Sequence, residues 1–135
     1  MTDNSTIRVL VVGAGHMGIS HARAYHKLDG FDICGVVTRT QASSQAMFDE
    51  LGPFPQFTDF EEALKQSRPN AVSISSYTET HHPFTMAALA MGCHVFVEKP
   101  LAESVEKAQE IADMARKTGR KVLVGYILRH HPSWI

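Results

Sequence analysis

Six short apolar runs, most of them rich in β-branched residues, recur along this chain, and every gap between them carries a helical pattern. The runs are Ile7 to Val12, Phe31 to Val37, a weak one at Gln56 and Phe57, Ala71 to Ser75, His94 to Val97, and Lys121 to Gly125. A strand followed by a helix does not fold back on its predecessor as a hairpin; the helix crosses over, and the next strand runs parallel to the last. Alternation from end to end of 135 residues therefore predicts an α/β fold: a doubly wound six-stranded parallel sheet with helices on both faces. Hydrophobic residues make up 44% of the chain, enough to fill one core of this kind.

The helical stretches carry their own punctuation. Thr40 is placed to cap a helix that stops at Gly52 and Pro53, and Asp59 precedes Glu62 by three residues, the spacing of a capping box. Pro83 is predicted in the first turn after Thr80, where its missing N–H costs nothing, and Gly92 ends that helix. Ser104 opens the last helix, whose apolar positions Val105, Ala108, Ile111, Ala112 and Ala115 keep helical spacing up to Gly119. Met86, Met91 and Met114 fall on these patterns and read as core filler.

Charge and cysteine usage exclude several classes. Thirteen basic and fourteen acidic residues leave a formal charge of −1, with no basic block of the kind that nucleic acid or an anionic membrane attracts. Cys34 and Cys93 are far apart and lack C-x-x-C spacing, so they read as reduced core thiols. The N-terminus has no basic region leading into an apolar segment, and no run approaches the ~20 residues needed to span a bilayer. The expectation is a soluble cytoplasmic protein with no nucleic-acid or membrane partner.

The first strand empties into glycines. In "IRVLVVGAGHMGISHARAY", Gly13, Gly15 and Gly18 have G-x-G-x-x-G spacing between a strand and a helical pattern. The first glycine permits a tight turn, the second lets a pyrophosphate approach the backbone, and the third lets helix pack on strand. The helix N-terminus then faces the phosphates, with His16 and Met17 inside the loop. A glycine turn in any α/β protein is the competing reading; the strand-loop-helix context favours dinucleotide binding and a sheet of Rossmann type.

The end of the second strand bears on which dinucleotide. An NAD site usually places Asp or Glu there to accept the ribose hydroxyls, whereas an NADP site offers an Arg to the 2′-phosphate. Here the chain reads "GVVTRT": Thr38 takes the acid's place, Arg39 follows, and no carboxylate appears until Asp49. NADP(H) is favoured and NAD(H) is possible; the alternative for Arg39 is a solvated surface charge.

"HVFVEKPLA" puts Glu98 and Lys99 where the fifth strand meets the surface. Ligands of open parallel sheets bind outside the carboxyl ends of the strands, and alternation sends the two side chains in different directions. Pro100 restrains Lys99 to an extended backbone, and the bond between them can be cis. A surface lysine capping a turn is the plain reading. Beside a nicotinamide, an amine held there can donate to an oxygen whose charge changes during hydride transfer.

Three stretches, "VVGAGHMGISHARAY", "SSYTETHHPFTMAALAMGCHVFVEKPLA" and "VLVGYILRHHPSW", together resemble the N-terminal domain of the Gfo/Idh/MocA oxidoreductases, in the family's order and over nearly the whole chain. The E-K-P segment is far more specific than the glycine loop. The resemblance implies an NAD(P)-dependent oxidoreductase acting on sugars, polyols or related small molecules. It assigns Lys99 to substrate positioning and proton transfer and Glu98 to the nicotinamide end. Ser75, Ser76 and His81 match the loop after the fourth strand, although "SYT" stands where the family has a T-P-N-type segment, and Arg129 matches an arginine bordering the active site. It also implies a dinucleotide-binding domain over residues 1–125, with 126–135 beginning the connection to a C-terminal substrate domain that carries a catalytic histidine and the homo-oligomer interface. The chain alone is then expected to bind cofactor without full catalysis. A non-catalytic dinucleotide-binding or cofactor-sensing module is the competing function.

Eight histidines raise the question of a metal. His16, His21 and His26 are five apart, which turns each about 140° from the last on a helix, and His81-His82 and His130-His131 are adjacent pairs whose side chains diverge. No metal is expected, and His94, opening a strand, reads as structural.

Overall fold

The computed structural model describes residues 6–125. Six parallel strands, β1 (Ile7–Val12), β2 (Phe31–Val37), β3 (Gln56–Phe57), β4 (Ala71–Ile74), β5 (His94–Glu98) and β6 (Val122–Gly125), form one sheet in the order β3-β2-β1-β4-β5-β6. The crossovers are α1 (His16–Lys27), α2 (Gln45–Leu51), α3 (Phe60–Ser67), α4 (Thr78–Ala90) and α5 (Val105–Thr118). Chain order reverses between β1 and β4, which neighbour each other, and the switch point opens at their carboxyl ends.

Strand alternation divides the core into two layers. Leu10, Val12, Val72, Ile74, Val95 and Val97 pack with Phe60, Leu64, Leu89 and Ile111 from α3, α4 and α5, while Val9 and Val11 pack with Ala22 and Met47 from α1 and α2. The register of β1 on β2 slips between Val9 and Leu10, whose partners are Ile33 and Gly35. This bulge at Cys34 brings Ile33 and Val36, three residues apart, into one layer and Cys34 and Val37 into the other.

Helix ends match the sequence in part. Ser104 Oγ accepts from Lys107 N at 3.2 Å, and Gly119 closes α5 in the left-handed region at φ 69°. Asp59 accepts from Glu62 N at 3.3 Å, but Glu62 accepts from Gln66 Nε2, so only half of the capping box forms. Thr40 makes no cap bond; its hydroxyl pairs with Ser43 Oγ, and a 3-10 turn over Gln41–Ser44 precedes α2. α4 begins at Thr78, ahead of Thr80, and this places Pro83 inside the helix, past its first turn. Met91 and Val105 are exposed, not core: Met91 caps α4 and Val105 opens α5, where the chain has already turned from the sheet. His94 accepts at Nδ1 from Lys121 N at 3.1 Å and straps β5 to the approach of β6.

Cys34 and Cys93 are buried free thiols, and burial pushes both above the ordinary thiol range. No helix among the described residues is long and apolar enough to cross a membrane, and none of their His, Cys, Asp and Glu side chains form a group of three arranged to hold a metal ion.

Candidate functional site

The loop after β1 is hung from both neighbouring strands. Gly13 N donates to Val37 O at the end of β2, and Ser75 N donates to Val12 O, each at 2.8 Å. Gly13 turns at φ 99°, and a Cβ there would stand 2.6 Å from Ser75 O, so the turn and the close approach to β4 both require glycine. A Cβ on Gly18 would lie 2.1 Å from Gly13 O, which seats α1 directly on the loop. Gly15 differs: nothing lies within 4 Å of its position for a Cβ.

Gly15 is also the N-cap of α1 and offers no side chain to the helix, whose first turn holds no acidic residue. The leading N–H groups thus keep their partial positive charge for an external acceptor. Above them lies a cleft of about 800 Å³ at the switch point, lined by Gly13 and Gly15 from the loop, Thr38 and Arg39 after β2, and Ser75 and Ser76 after β4. Thr38 is buried, and its hydroxyl donates to Thr40 O at 2.6 Å. Ser75 Oγ is buried without a hydrogen-bond partner among the described residues.

The other expected site residues among those described do not line this cleft. His16, Met17 and Gly18 form the first turn of α1. His81 is buried, with Nδ1 2.7 Å from Pro100 O and Nε2 3.1 Å from Ser76 O, so its ring ties the end of β4 to the loop after β5. Glu98 and Lys99 stand on the same carboxyl edge of the sheet, at the end of β5. Glu98 is half-buried, with His21 Nε2 2.9 Å from its Oε1, while Lys99 is exposed and joined to Pro100 by a cis bond. Arg129 lies outside the described residues.

Several residues that the sequence reading passed over meet here. Tyr77, Glu79 and Thr80 open α4 onto the cleft, and Ser43, Thr58, Phe60 and Phe84 complete its walls, with the Phe60 and Phe84 rings stacked at 4.2 Å. The Arg39 guanidinium lies over the Tyr77 ring, 5.1 Å from its centre. His21 was set among non-convergent histidines, and it holds the E-K-P acid from α1. The signal available for Tyr77 was its place in "SYT", three residues past the end of β4, which faces the glycine loop.

A nicotinamide dinucleotide fits this donor set. The uncapped turn and the open space at Gly15 suit a pyrophosphate, and Ser75 Oγ offers a polar atom that no described residue engages. Residues 7–126 match the family model GFO_IDH_MocA, an oxidoreductase family with an NAD-binding Rossmann fold. The chain belongs to the Gfo/Idh/MocA family. It is 32% identical over 129 residues to D-glucoside 3-dehydrogenase of Escherichia coli strain K12, covering 95% of this chain and 36% of that protein. It is 33% identical over 133 residues to inositol 2-dehydrogenase of Agrobacterium fabrum, covering 96% of this chain and 40% of the relative. Scyllo-inositol dehydrogenase from Lactobacillus casei, solved with bound NAD(H) and scyllo-inositol, superposes with a TM-score of 0.88 at 26% identity, over 96% of this chain and 39% of that one. The Gfo/Idh/MocA chain described here thus spans well under half the length of these relatives, over their NAD-binding part.

Proposed function

We propose that this chain is the cofactor-binding domain of an NADP(H)-preferring oxidoreductase that moves a hydride between nicotinamide and a hydroxyl or carbonyl carbon of a sugar, polyol or related small molecule. Residues 1–125 form that domain, and 126–135 begin the connection to the substrate domain. The observation that carries the cofactor preference is the cleft wall after β2: Thr38 has its hydroxyl turned onto Thr40 O, and among the described residues Arg39 lines that wall with no carboxylate beside it, the cleft's Glu79 belonging to α4. A ribose 2′-hydroxyl finds no anionic acceptor there, while a 2′-phosphate finds a guanidinium. The substrate class rests on relatives named for glucoside and inositol dehydrogenation.

When bound, the cofactor supplies the hydride acceptor or donor. The chain's own residues then divide the work along one sheet edge. The first turn of α1 and Ser75 hold the pyrophosphate end, and Arg39 reads the 2′-position. Lys99, exposed at the end of β5, donates to the reacting oxygen as negative charge builds on it, while Glu98, held by His21, fixes the backbone from which Lys99 projects. The test is a side-by-side titration with NADPH and NADH, followed by nicotinamide fluorescence, for wild type and Arg39→Ala. Charge-assisted bonds to a phosphate are worth about 1.5–3 kcal/mol, so NADPH should bind roughly 10- to 100-fold more tightly, and Arg39→Ala should erase most of that advantage. Equal binding of the two nucleotides by wild type refutes the preference, and no binding of either at millimolar concentration refutes the cofactor site.

A further inference from the structure

Tyr77 is a large aromatic residue on the rim of the cleft, and it is 58% exposed. Its backbone is fixed: Thr80 N donates to Tyr77 O at 2.9 Å, Thr80 Oγ1 donates to the same oxygen at 2.6 Å, and Ser76 Oγ meets Thr80 Oγ1 at 2.6 Å. Leaving an aromatic ring in solvent on so fixed a base gains nothing for folding. Among the described residues its ring meets the Arg39 guanidinium, which reaches it from the end of β2.

We propose that Tyr77 is a positioning residue for Arg39, holding the guanidinium by its face so that its N–H edge is presented to the 2′-phosphate of the cofactor. The inference rests on the NADP(H) reading and goes one residue further. A guanidinium interacts in two directions at once: its π face stacks on an aromatic ring, and its in-plane N–H groups form the fork that matches a phosphate. Among the described residues no carboxylate or carbonyl takes those N–H groups, so stacking on Tyr77 leaves them unspent. Arginine also carries considerable rotamer freedom, and a side chain already parked against a ring loses less of it when the phosphate arrives. Tyr77 thus acts on discrimination between two nucleotides more than on the binding of either adenosine.

This separates positioning from simple adenine stacking, because a ring that only stacked on the base would serve both nucleotides alike. The probes are adenosine 2′,5′-bisphosphate and adenosine 5′-monophosphate, which differ only in the 2′-phosphate, titrated calorimetrically into wild type, Tyr77→Leu, Tyr77→Phe and Arg39→Ala. Far-UV circular dichroism checks the fold of each. An exposed cation–π contact predicts that Tyr77→Leu weakens the bisphosphate about 2- to 5-fold and leaves the monophosphate unchanged, while Tyr77→Phe restores the wild-type ratio. In an Arg39→Ala background, Tyr77→Leu should then have no further effect on the ratio. Equal weakening of both nucleotides, or no change in either, overturns the positioning role and leaves the NADP(H) reading standing. A wild type that does not distinguish the two nucleotides overturns that reading first, before any Tyr77 variant is made.

Discussion

Two of the loop glycines should respond in opposite ways to one added methyl group. A Cβ on Gly18 would stand 2.1 Å from Gly13 O, whereas ordinary contact begins at 3.4 Å, so α1 and the loop must part by more than about 1 Å. Both sides of that contact are backbone, and Gly13 is itself tied to Val37 O, so nothing can swing aside. Overpacking of this sort costs about 1–3 kcal/mol, with the upper end expected here; the gain of roughly 1 kcal/mol from replacing a helical glycine by alanine offsets part of it. Gly18→Ala should therefore lose about 2 kcal/mol. Gly15 has open space and a backbone at φ −76°, ψ −165°, which alanine adopts freely. Its replacement gains about 0.4–1 kcal/mol by restricting the unfolded chain and loses a similar amount as a poorer N-cap, so stability should stay within roughly 0.5 kcal/mol. The methyl group would nevertheless occupy the approach to the uncapped first turn, and NADPH affinity should fall at least about 10-fold. Urea unfolding followed by circular dichroism reads the first quantity and fluorescence titration the second. A Gly15→Ala protein that binds NADPH within twofold of wild type would show that phosphates do not pass over Gly15. A Gly18→Ala protein with an unchanged urea midpoint would show that the seating of α1 is wrong.

Two further outcomes follow from the far end of the site and from the core. His21→Ala removes the partner of a half-buried carboxylate and an edge contact with the Phe96 ring at 4.8 Å, and should cost about 1–2 kcal/mol in urea, with His21→Gln recovering part of it; equal losses would mean that ring packing alone matters. Burial raises the Cys34 and Cys93 thiols, so the folded state binds their protons more tightly than the unfolded one: the stability they contribute is complete below about pH 8.5 and declines as pH rises beyond it. Urea midpoints measured from pH 7 to 9.5 should fall more steeply for wild type than for the double variant Cys34→Ala, Cys93→Ala, and parallel curves would refute the linkage.

Much of the fold was legible because its signals are local. Short apolar runs, most of them rich in β-branched residues, marked all six strands to within a residue at either end, and their alternation with helices dictated parallel pairing. What escaped was set by tertiary contact. The bulge at Cys34 exists because β2 must match β1 and both core layers at once, and no turn residue announces it. Pro83 looked like a helix opener because proline is cheapest there, yet Thr78 and Glu79 extend α4 toward the cleft ahead of it. Gly13, Gly15, Thr38 and Arg39 were legible as cleft residues because each follows a strand whose direction the alternation of strands and helices implies, and Ser75 and Ser76 were legible through the family resemblance. Tyr77 and His21 were not, because their significance lies in a partner 38 and 77 residues away respectively.

Coverage of the sheet is uneven among the described residues. β1 is packed on both faces, by α1 and α2 on one side and by α3 to α5 on the other, and the cleft at its end has walls from β1, β2 and β4. At β6 the alternation sends Val122 and Val124 into the layer of α5, while Leu123 is 58% exposed on the other face, beside the half-buried Phe96 of β5. Glu98 and Lys99 belong to this second region, where a Cβ on Gly125 would come within 3.0 Å of both Glu98 carboxylate oxygens, so the acid is wedged between His21 and the end of β6. Among the described residues, the cleft beside the glycine loop thus has walls from three strands, whereas Lys99 stands exposed at the carboxyl end of β5. Nucleotide fragments carrying the 2′-phosphate test the cleft directly, and loss of their discrimination on changing Arg39 or Tyr77 would be readable without any measurement of turnover.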